Sequence, residues 1–144
     1  GLLEVICKQS DLPIVFPAHP RTRAQMGEFA NQNENLVLIK PLRYLEFIYL
    51  VRNARGVISD SGGISEETTY LNVPCITLRE NTERPETVTQ GSNRLVGHNH
   101  NAIAQAIVDL MNGDWPQSKV PENWDGNTAA RIANHLKQVA NSRD

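Results

Sequence analysis

The chain has 144 residues, with 14 Lys and Arg against 16 Asp and Glu, a formal net charge of -2 and a pI near 6.1. That length holds one domain with a real core, and a balanced charge without a basic patch or aromatic-basic alternation argues against nucleic acid or an anionic membrane as partner. Cys7 and Cys75 stand in apolar helical and strand contexts without metal-ligand spacing; with no signal peptide or long apolar span in view, they predict buried reduced thiols and a cytoplasmic setting.

In chain order, Leu2, Leu3 and Ile6 read as an apolar helical run already under way at Gly1, as in a piece of a longer protein. Strands are predicted at Pro13–Phe16, Leu36–Ile39, Gly56–Ser59, Cys75–Leu78 and Arg94–Val96. Helices are predicted at Thr22–Asn31, Tyr44–Asn53, Ile64–Leu71, Glu86–Gln90, Asn101–Met111 and Thr128–Ala140. Strands of four or five residues, apolar on both faces and each followed by a helix, imply an α/β fold: a Rossmann-like parallel sheet sandwich covered on both sides. Residues 113–125 lack either periodicity and read as a connector anchored by Trp115 and Trp124, before a last helix capped by Asn127 or Thr128.

The run Ser59-Asp60-Ser61-Gly62-Gly63-Ile64-Ser65-Glu66-Glu67 joins a strand to a helix and reads as a phosphate cradle. Gly62 and Gly63 let backbone N–H groups approach an oxyanion, Ser61 adds a rotatable donor, and the helix contributes the positive end of its dipole. Glu67, at i+4 from Gly63, can place a carboxylate on the ligand side, where it suits a pair of ribose hydroxyls. A Ser-Gly-Gly turn is also common in α/β proteins with no ligand at all. Thr82-Glu83-Arg84-Pro85-Glu86 follows the next strand and emerges at the same sheet edge, bringing the Arg84 guanidinium fork to phosphate oxygens. Phe47 is a core aromatic or a base-stacking ring. His19 follows the first strand between prolines and reaches the cleft rim or simply meets solvent; His98 and His100 have no ligating neighbours, so no metal site is expected. Glu66 and Glu86 read as structural or solvent-facing, with Glu86 able to orient Arg84.

Asp60-Ser61-Gly62-Gly63-Ile64 with Glu66-Glu67, then Thr82–Glu86, Asn93-Arg94-Leu95-Val96-Gly97 and Trp124-Asp125-Gly126, in this order and spacing, resemble the carboxyl-terminal half of non-hydrolysing UDP-N-acetylglucosamine 2-epimerases. The resemblance implies the second domain of a GT-B architecture, with a UDP-binding unit at 1–112 and, at 113–144, a connector and helix packing back towards an amino-terminal domain. It implies diphosphate contacts at Ser61, Gly62 and Gly63, a ribose-binding carboxylate at Glu67 and a phosphate-binding Arg84. Uracil would stack on Phe47 near Pro41 and Leu42, and His19 would help hold a second, activating UDP-sugar. The implied activity is interconversion of UDP-N-acetylglucosamine and its manno epimer by elimination and re-addition of UDP. Neither metal nor nicotinamide is implied as cofactor, the partners being the UDP-sugar, the amino-terminal domain that carries the catalytic carboxylates, and a second copy in a homodimer. Ser65 and Thr68-Thr69-Tyr70 depart from the commonest pattern of glutamine and Ala-Pro-Ser. A UDP-sugar-dependent GT-B glycosyltransferase, a hydrolysing epimerase and a non-catalytic nucleotide-binding module are the alternatives.

Overall fold

The computed structural model describes residues 1–142. Five short parallel strands alternate with helices: α1 (Leu2–Lys8), β1 (Ile14–Pro17), α2 (Pro20–Gln32), β2 (Leu36–Ile39), α3 (Tyr44–Arg52), β3 (Val57–Ser59), α4 (Gly62–Leu71), β4 (Cys75–Thr77), α5 (Glu86–Thr89), β5 (Asn93–Leu95), α6 (His100–Asn112) and α7 (Thr128–Asn141). The expected elements are all present, most within two residues of their predicted bounds. The consequential shift is α4, which starts at Gly62 rather than Ile64.

The strands divide into two sheets, β1–β2 and β3–β4–β5. Ile14 pairs with Leu36 and Pro17 with Ile39, while Val57 pairs with Cys75 and Cys75 with Asn93. Cys75, Ile76 and Thr77 of β4, flanked on both sides, are fully buried, whereas β3 has one neighbour and is half-buried throughout. The Val57 N–H donates to the Pro74 carbonyl and the Leu78 N–H to the Ser59 carbonyl, each at 2.9 Å, so in parallel alternation the Ile58 peptide groups turn away from β4. Coverage on both faces does not hold for the smaller sheet: Val15 and Val37, opposite each other in register, are 39% and 42% exposed.

The core gathers Ile6 of α1, Ile76 of β4 and the α6 stripe Ile103, Ala106, Ile107 and Leu110. That i, i+3, i+4, i+7 spacing puts four side chains on one face. At its start, Asn99 Oδ1 accepts from the Asn101 and Ala102 N–H groups at 3.0 and 3.1 Å; at its end, Gly113 takes φ 83°, the left-handed turn glycine adopts without steric cost. The connector is tied down by Trp115, whose Nε1 donates to the Ser92 carbonyl at 3.0 Å and whose ring lies 4.2 Å from the Arg94 guanidinium carbon. Both cysteines are buried and unpaired, and burial pushes their thiols up from the ordinary range. Among the described residues no helix is long and apolar enough to cross a membrane. The tail unit expected at 113–144 ends in residues 143–144, which lie outside the described range.

None of the α7 residues is buried, and its stripe of Ile132, Leu136 and Val139 is open to solvent. The contrast with α6 sets an expectation for stability. Ile103→Ala is expected to cost about 2–5 kcal/mol, the range for truncating a buried aliphatic side chain, and Ile132→Ala within about 0.5 kcal/mol of nothing. Urea unfolding of the two variants measures the difference; comparable losses would mean that α7 is packed after all.

Candidate functional site

The site forms where β3 and β4 end, the edge at which parallel sheets collect ligands. Ser61, at the carboxyl end of β3, is the N-cap of α4 with φ -84° and ψ 125°; its N–H donates to Ser59 Oγ at 3.1 Å. Its own side chain makes no capping hydrogen bond. Gly62 and Gly63 are therefore the first two residues of the helix rather than a turn that precedes it.

Their conformation does not require glycine, since the positive-φ glycines among the described residues are Gly97, Gly113 and Gly126. Packing does not require it either. A β-carbon on Gly62 would stand 3.6 Å from Arg79 Nη1, an ordinary contact, and one on Gly63 would meet nothing nearer than Ser61 Oγ at 4.0 Å. Glycine costs a helix interior roughly 0.5–1 kcal/mol relative to alanine, and among the described residues neither backbone conformation nor packing offsets a cost of this kind at the start of α4. The space a side chain would fill lies above exposed backbone N–H groups at a helix start, the arrangement that receives an anion.

Arg84 approaches this helix from the loop between β4 and α5. Its Nε is ion-paired with Glu66 Oε1 and its Nη1 donates to the Glu83 carbonyl at 3.2 Å. The Glu66 carboxylate is the main cause that raises the arginine's pKa further. Sequence reading makes both Glu66 and Glu86 structural or solvent-facing, with Glu86 able to orient Arg84; in the structure Glu66 holds the guanidinium, because α4 carries its side chain one turn along from the glycines towards the loop. The Arg84 backbone is held from behind by a buried polar chain. Thr77 Oγ1 donates to Asn93 Oδ1, Asn93 Nδ2 donates to Thr87 Oγ1 at 3.1 Å, and Thr87 Oγ1 donates to the Arg84 carbonyl at 2.7 Å. All three side chains are at most 5% exposed.

Two cavities meet at the Glu66–Arg84 pair. The smaller, about 150 Å³, is lined by Gly62, Gly63, Arg79, Thr82 and Glu83 besides the pair. The larger, about 600 Å³, takes in Glu67, Tyr44, Tyr70 and, from the connector, Trp124. Tyr44 faces Glu67, whose carboxylate pushes the phenol's pKa up from its usual value. Of the expected site residues, the structure thus brings together Gly62, Gly63, Glu67 and Arg84, with exposed Ser61 at the mouth of α4. Phe47 lies half-buried on α3 and Leu42 half-buried in the loop before it; neither lines either cavity, and Tyr44 and Ile48 of α3 do so instead. His19 is exposed as N-cap of α2, beyond β1, on the other sheet. Arg79, Glu66, Tyr44 and Trp124 escaped the sequence reading as site residues. For Arg79 the available signal was its place two residues past β4, at the same edge as Arg84. The departures at Ser65, Thr68 and Thr69 are buried, at most 1% exposed, and Ser65 and Thr68 bond back to the α4 carbonyls of Gly62 and Ile64 at 2.7 and 2.8 Å. They face the core. Tyr70, on the opposite side of the helix, borders the larger cavity.

Because neither conformation nor packing among the described residues requires these glycines, Gly63→Ala is expected to leave the unliganded chain as stable as the parent or up to about 1 kcal/mol more stable. Thermal unfolding without ligand measures it. Destabilisation beyond about 1 kcal/mol would show that the glycine serves the fold.

Comparison with known proteins bears on what this edge binds. The family model described as UDP-N-acetylglucosamine 2-epimerase matches residues 1–137. A UDP-N-acetylglucosamine 2-epimerase of Methanocaldococcus jannaschii is 44% identical over 117 residues, covering 78% of this chain and 32% of that protein. One of Methanococcus maripaludis is 43% identical over 139 residues, covering 90% of this chain and 36% of its own. Among solved structures, the M. jannaschii UDP-GlcNAc 2-epimerase in complex with UDP-GlcNAc and UDP superposes with a TM-score of 0.72 at 38% identity, over 92% of this chain and 39% of that one. These relatives are GT-B-type folds, and this parallel α/β unit corresponds to a Rossmann-like part of one. The chain spans about a third of the length of the relatives it matches. A match that runs through every strand of both sheets and the whole of the glycine and Arg84 edge leaves one assignment: the chain belongs to the UDP-N-acetylglucosamine 2-epimerase family.

Proposed function

We propose that this chain is the UDP-binding part of a UDP-N-acetylglucosamine 2-epimerase, an isomerase that interconverts UDP-N-acetylglucosamine and UDP-N-acetylmannosamine. The observation that carries the reading is the pair of unforced glycines in the first turn of α4, which line one recess with the Arg84 guanidinium, in a family whose M. jannaschii member was crystallised with UDP-GlcNAc and UDP. Supporting it, the departures from the family pattern at Ser65, Thr68 and Thr69 are turned into the core, away from this cleft.

The chemistry explains why such a cleft belongs in an epimerase. The C2 proton of the sugar is weakly acidic, so inversion proceeds by elimination: a base takes the C2 proton, the C1–O bond breaks, and the electron pair leaves with UDP, giving a glycal. UDP oxygen then adds back to C1 as C2 receives a proton on the opposite face. Negative charge grows on the departing diphosphate, and N–H groups of Gly62 and Gly63, the Ser61 hydroxyl and Arg84 stabilise it where it appears, without reorganising during the step. Glu67 accepts from the ribose hydroxyls, and uracil stacks on Phe47 beside Leu42. His19, on the other sheet, serves a second UDP-sugar at the boundary with an amino-terminal domain. That domain supplies the proton-handling carboxylates, and residues 113–144 pack back towards it, with a homodimer as the assembly.

UDP is expected to bind this chain weakly, with Arg84→Ala and Glu67→Ala each lowering affinity roughly 10- to 100-fold, since each removes hydrogen bonds to or from a charged group. Gly63→Ala, expected to be neutral for stability without ligand, is expected to weaken UDP by obstructing approach to the backbone, while Arg23→Ala on α2 changes nothing. Calorimetric titration with UDP and UMP tests the set. UMP binding as tightly as UDP, or an Arg84→Ala chain with unchanged UDP affinity, would sink the diphosphate reading. By itself the chain is expected to show no epimerisation of UDP-N-acetylglucosamine, because the groups that move the C2 proton lie elsewhere; turnover by pure chain, followed by product analysis, would overturn this division of labour.

A further inference from the structure

We infer that Arg79 supplies the uncommitted positive charge of the phosphate recess and binds a phosphate of the nucleoside diphosphate, while Arg84 is partly committed to Glu66. The inference deepens the reading above and rests on it.

Arg79 leaves the carboxyl end of β4 immediately after Leu78, whose N–H bonds β3 at Ser59. Its backbone is fixed on the other side by Gly97, whose N–H donates to the Arg79 carbonyl at 3.2 Å. Gly97 has φ 58°, and the neighbouring Glu80 carboxylate is pressed against its α-carbon, where a side chain would stand. That packing takes the Glu80 carboxylate towards Gly97; it does not line the recess. The Arg79 side chain instead reaches the start of α4, with Nη1 3.6 Å from where a β-carbon on Gly62 would be. Among the described residues it has neither an ion pair nor a side-chain hydrogen bond, although a guanidinium offers five donors.

Charge decides which arginine matters more to an anion here. The recess is lined by two guanidiniums, Arg79 and Arg84, and two carboxylates, Glu66 and Glu83, so the α4 dipole and its free N–H groups act on a formally neutral ring. Glu66 already takes the Arg84 Nε, and the Glu83 carbonyl takes part of its Nη1. Without Arg79 the remaining side chains leave the recess net negative, which repels a diphosphate carrying growing charge. With it, one whole unpaired fork faces the N–H groups of α4, and a phosphate oxygen can be bound by both at once. In the elimination step the same group meets the charge that UDP takes away as the C1–O bond breaks.

The test compares UDP with uridine on the 144-residue chain and its Arg79→Gln and Arg79→Lys variants, with unfolding midpoints measured without ligand. Arg79→Gln is expected to lower UDP affinity about 10-fold or more, leave uridine affinity and the unfolding midpoint unchanged, and flatten the salt dependence of UDP binding. Arg79→Lys, keeping the charge but losing the fork, is expected to recover part of the loss. A merely structural role would move the midpoint and both ligands together, which overturns the inference. So does an Arg79→Gln chain that still prefers UDP over uridine as the parent does, and in that case the diphosphate reading stands. If the parent chain itself shows no preference for UDP over uridine, the diphosphate reading fails and takes the Arg79 assignment with it.

Discussion

The buried chain of Thr77, Asn93 and Thr87 is the interaction on which the rest of the site depends. Each of these side chains carries donors or acceptors into a place without water, where an unmade hydrogen bond costs about 1–3 kcal/mol. They are satisfied by one another and end on the Arg84 carbonyl, which the Thr87 N–H also reaches at 3.0 Å. The chain crosses from β4 to β5 and on to α5. It therefore converts strand register, Thr77 beside Leu95 and Cys75 beside Asn93, into the position of a loop that would otherwise have few fixed points. Replacing it with apolar side chains would preserve volume but release the loop, so its polarity is tied to placement of the arginine rather than to bulk stability.

From that anchor the geometry of the cleft follows. Arg84 emerges with its backbone pinned, its Nε taken by Glu66 and its Nη1 donating to the Glu83 carbonyl, which leaves Nη2 without a protein partner among the described residues. Glu66 and Glu67 are adjacent on α4, yet their helical positions send one carboxylate to the arginine and the other towards Tyr44 in the larger cavity. One turn of helix thus carries two carboxylates with different partners: Glu66 on the Arg84 guanidinium and Glu67 beside the Tyr44 hydroxyl. The glycines in the first turn sit between these functions. They weaken the helix through backbone entropy, and with no side chain they leave its unpaired first-turn N–H groups uncovered, as an anion requires. A site built this way trades a little local stability for access.

The two-sheet division has its own physical content. β4 is buried because both of its edges and both of its faces are covered, whereas β3 and β1 each keep one edge unpaired and stay half-buried or partly exposed. Val15, Val37 and the α7 stripe are apolar residues in regular structure that stay about two-fifths or more exposed among the described residues, unlike the α6 stripe, whose spacing is equally regular. Amphipathic periodicity states that a face wants cover. It does not state whether the cover lies within the same chain, and here α6 finds it and α7 does not.

That distinction separates what the sequence determines alone from what tertiary structure decides. Strand and helix order, the α/β class and the placement of the glycine run and Arg84 at strand ends were legible from local pattern, because periodicity, turn residues and parallel topology act over a few residues at a time. The same local logic placed Gly62 and Gly63 before the helix rather than in it, since glycine disfavours helix intrinsically; tertiary context overrode the propensity because packing of Ser65, Thr68 and Thr69 into the core carries the helix back to Ser61. Which carboxylate holds Arg84, that Arg79 reaches Gly62, and that Tyr44 rather than Phe47 lines the larger cavity were outside its reach. Those outcomes depend on the angle at which α3 and α4 pack and on how two loops leave adjacent strands, and such distances are set by contacts between residues far apart in the chain.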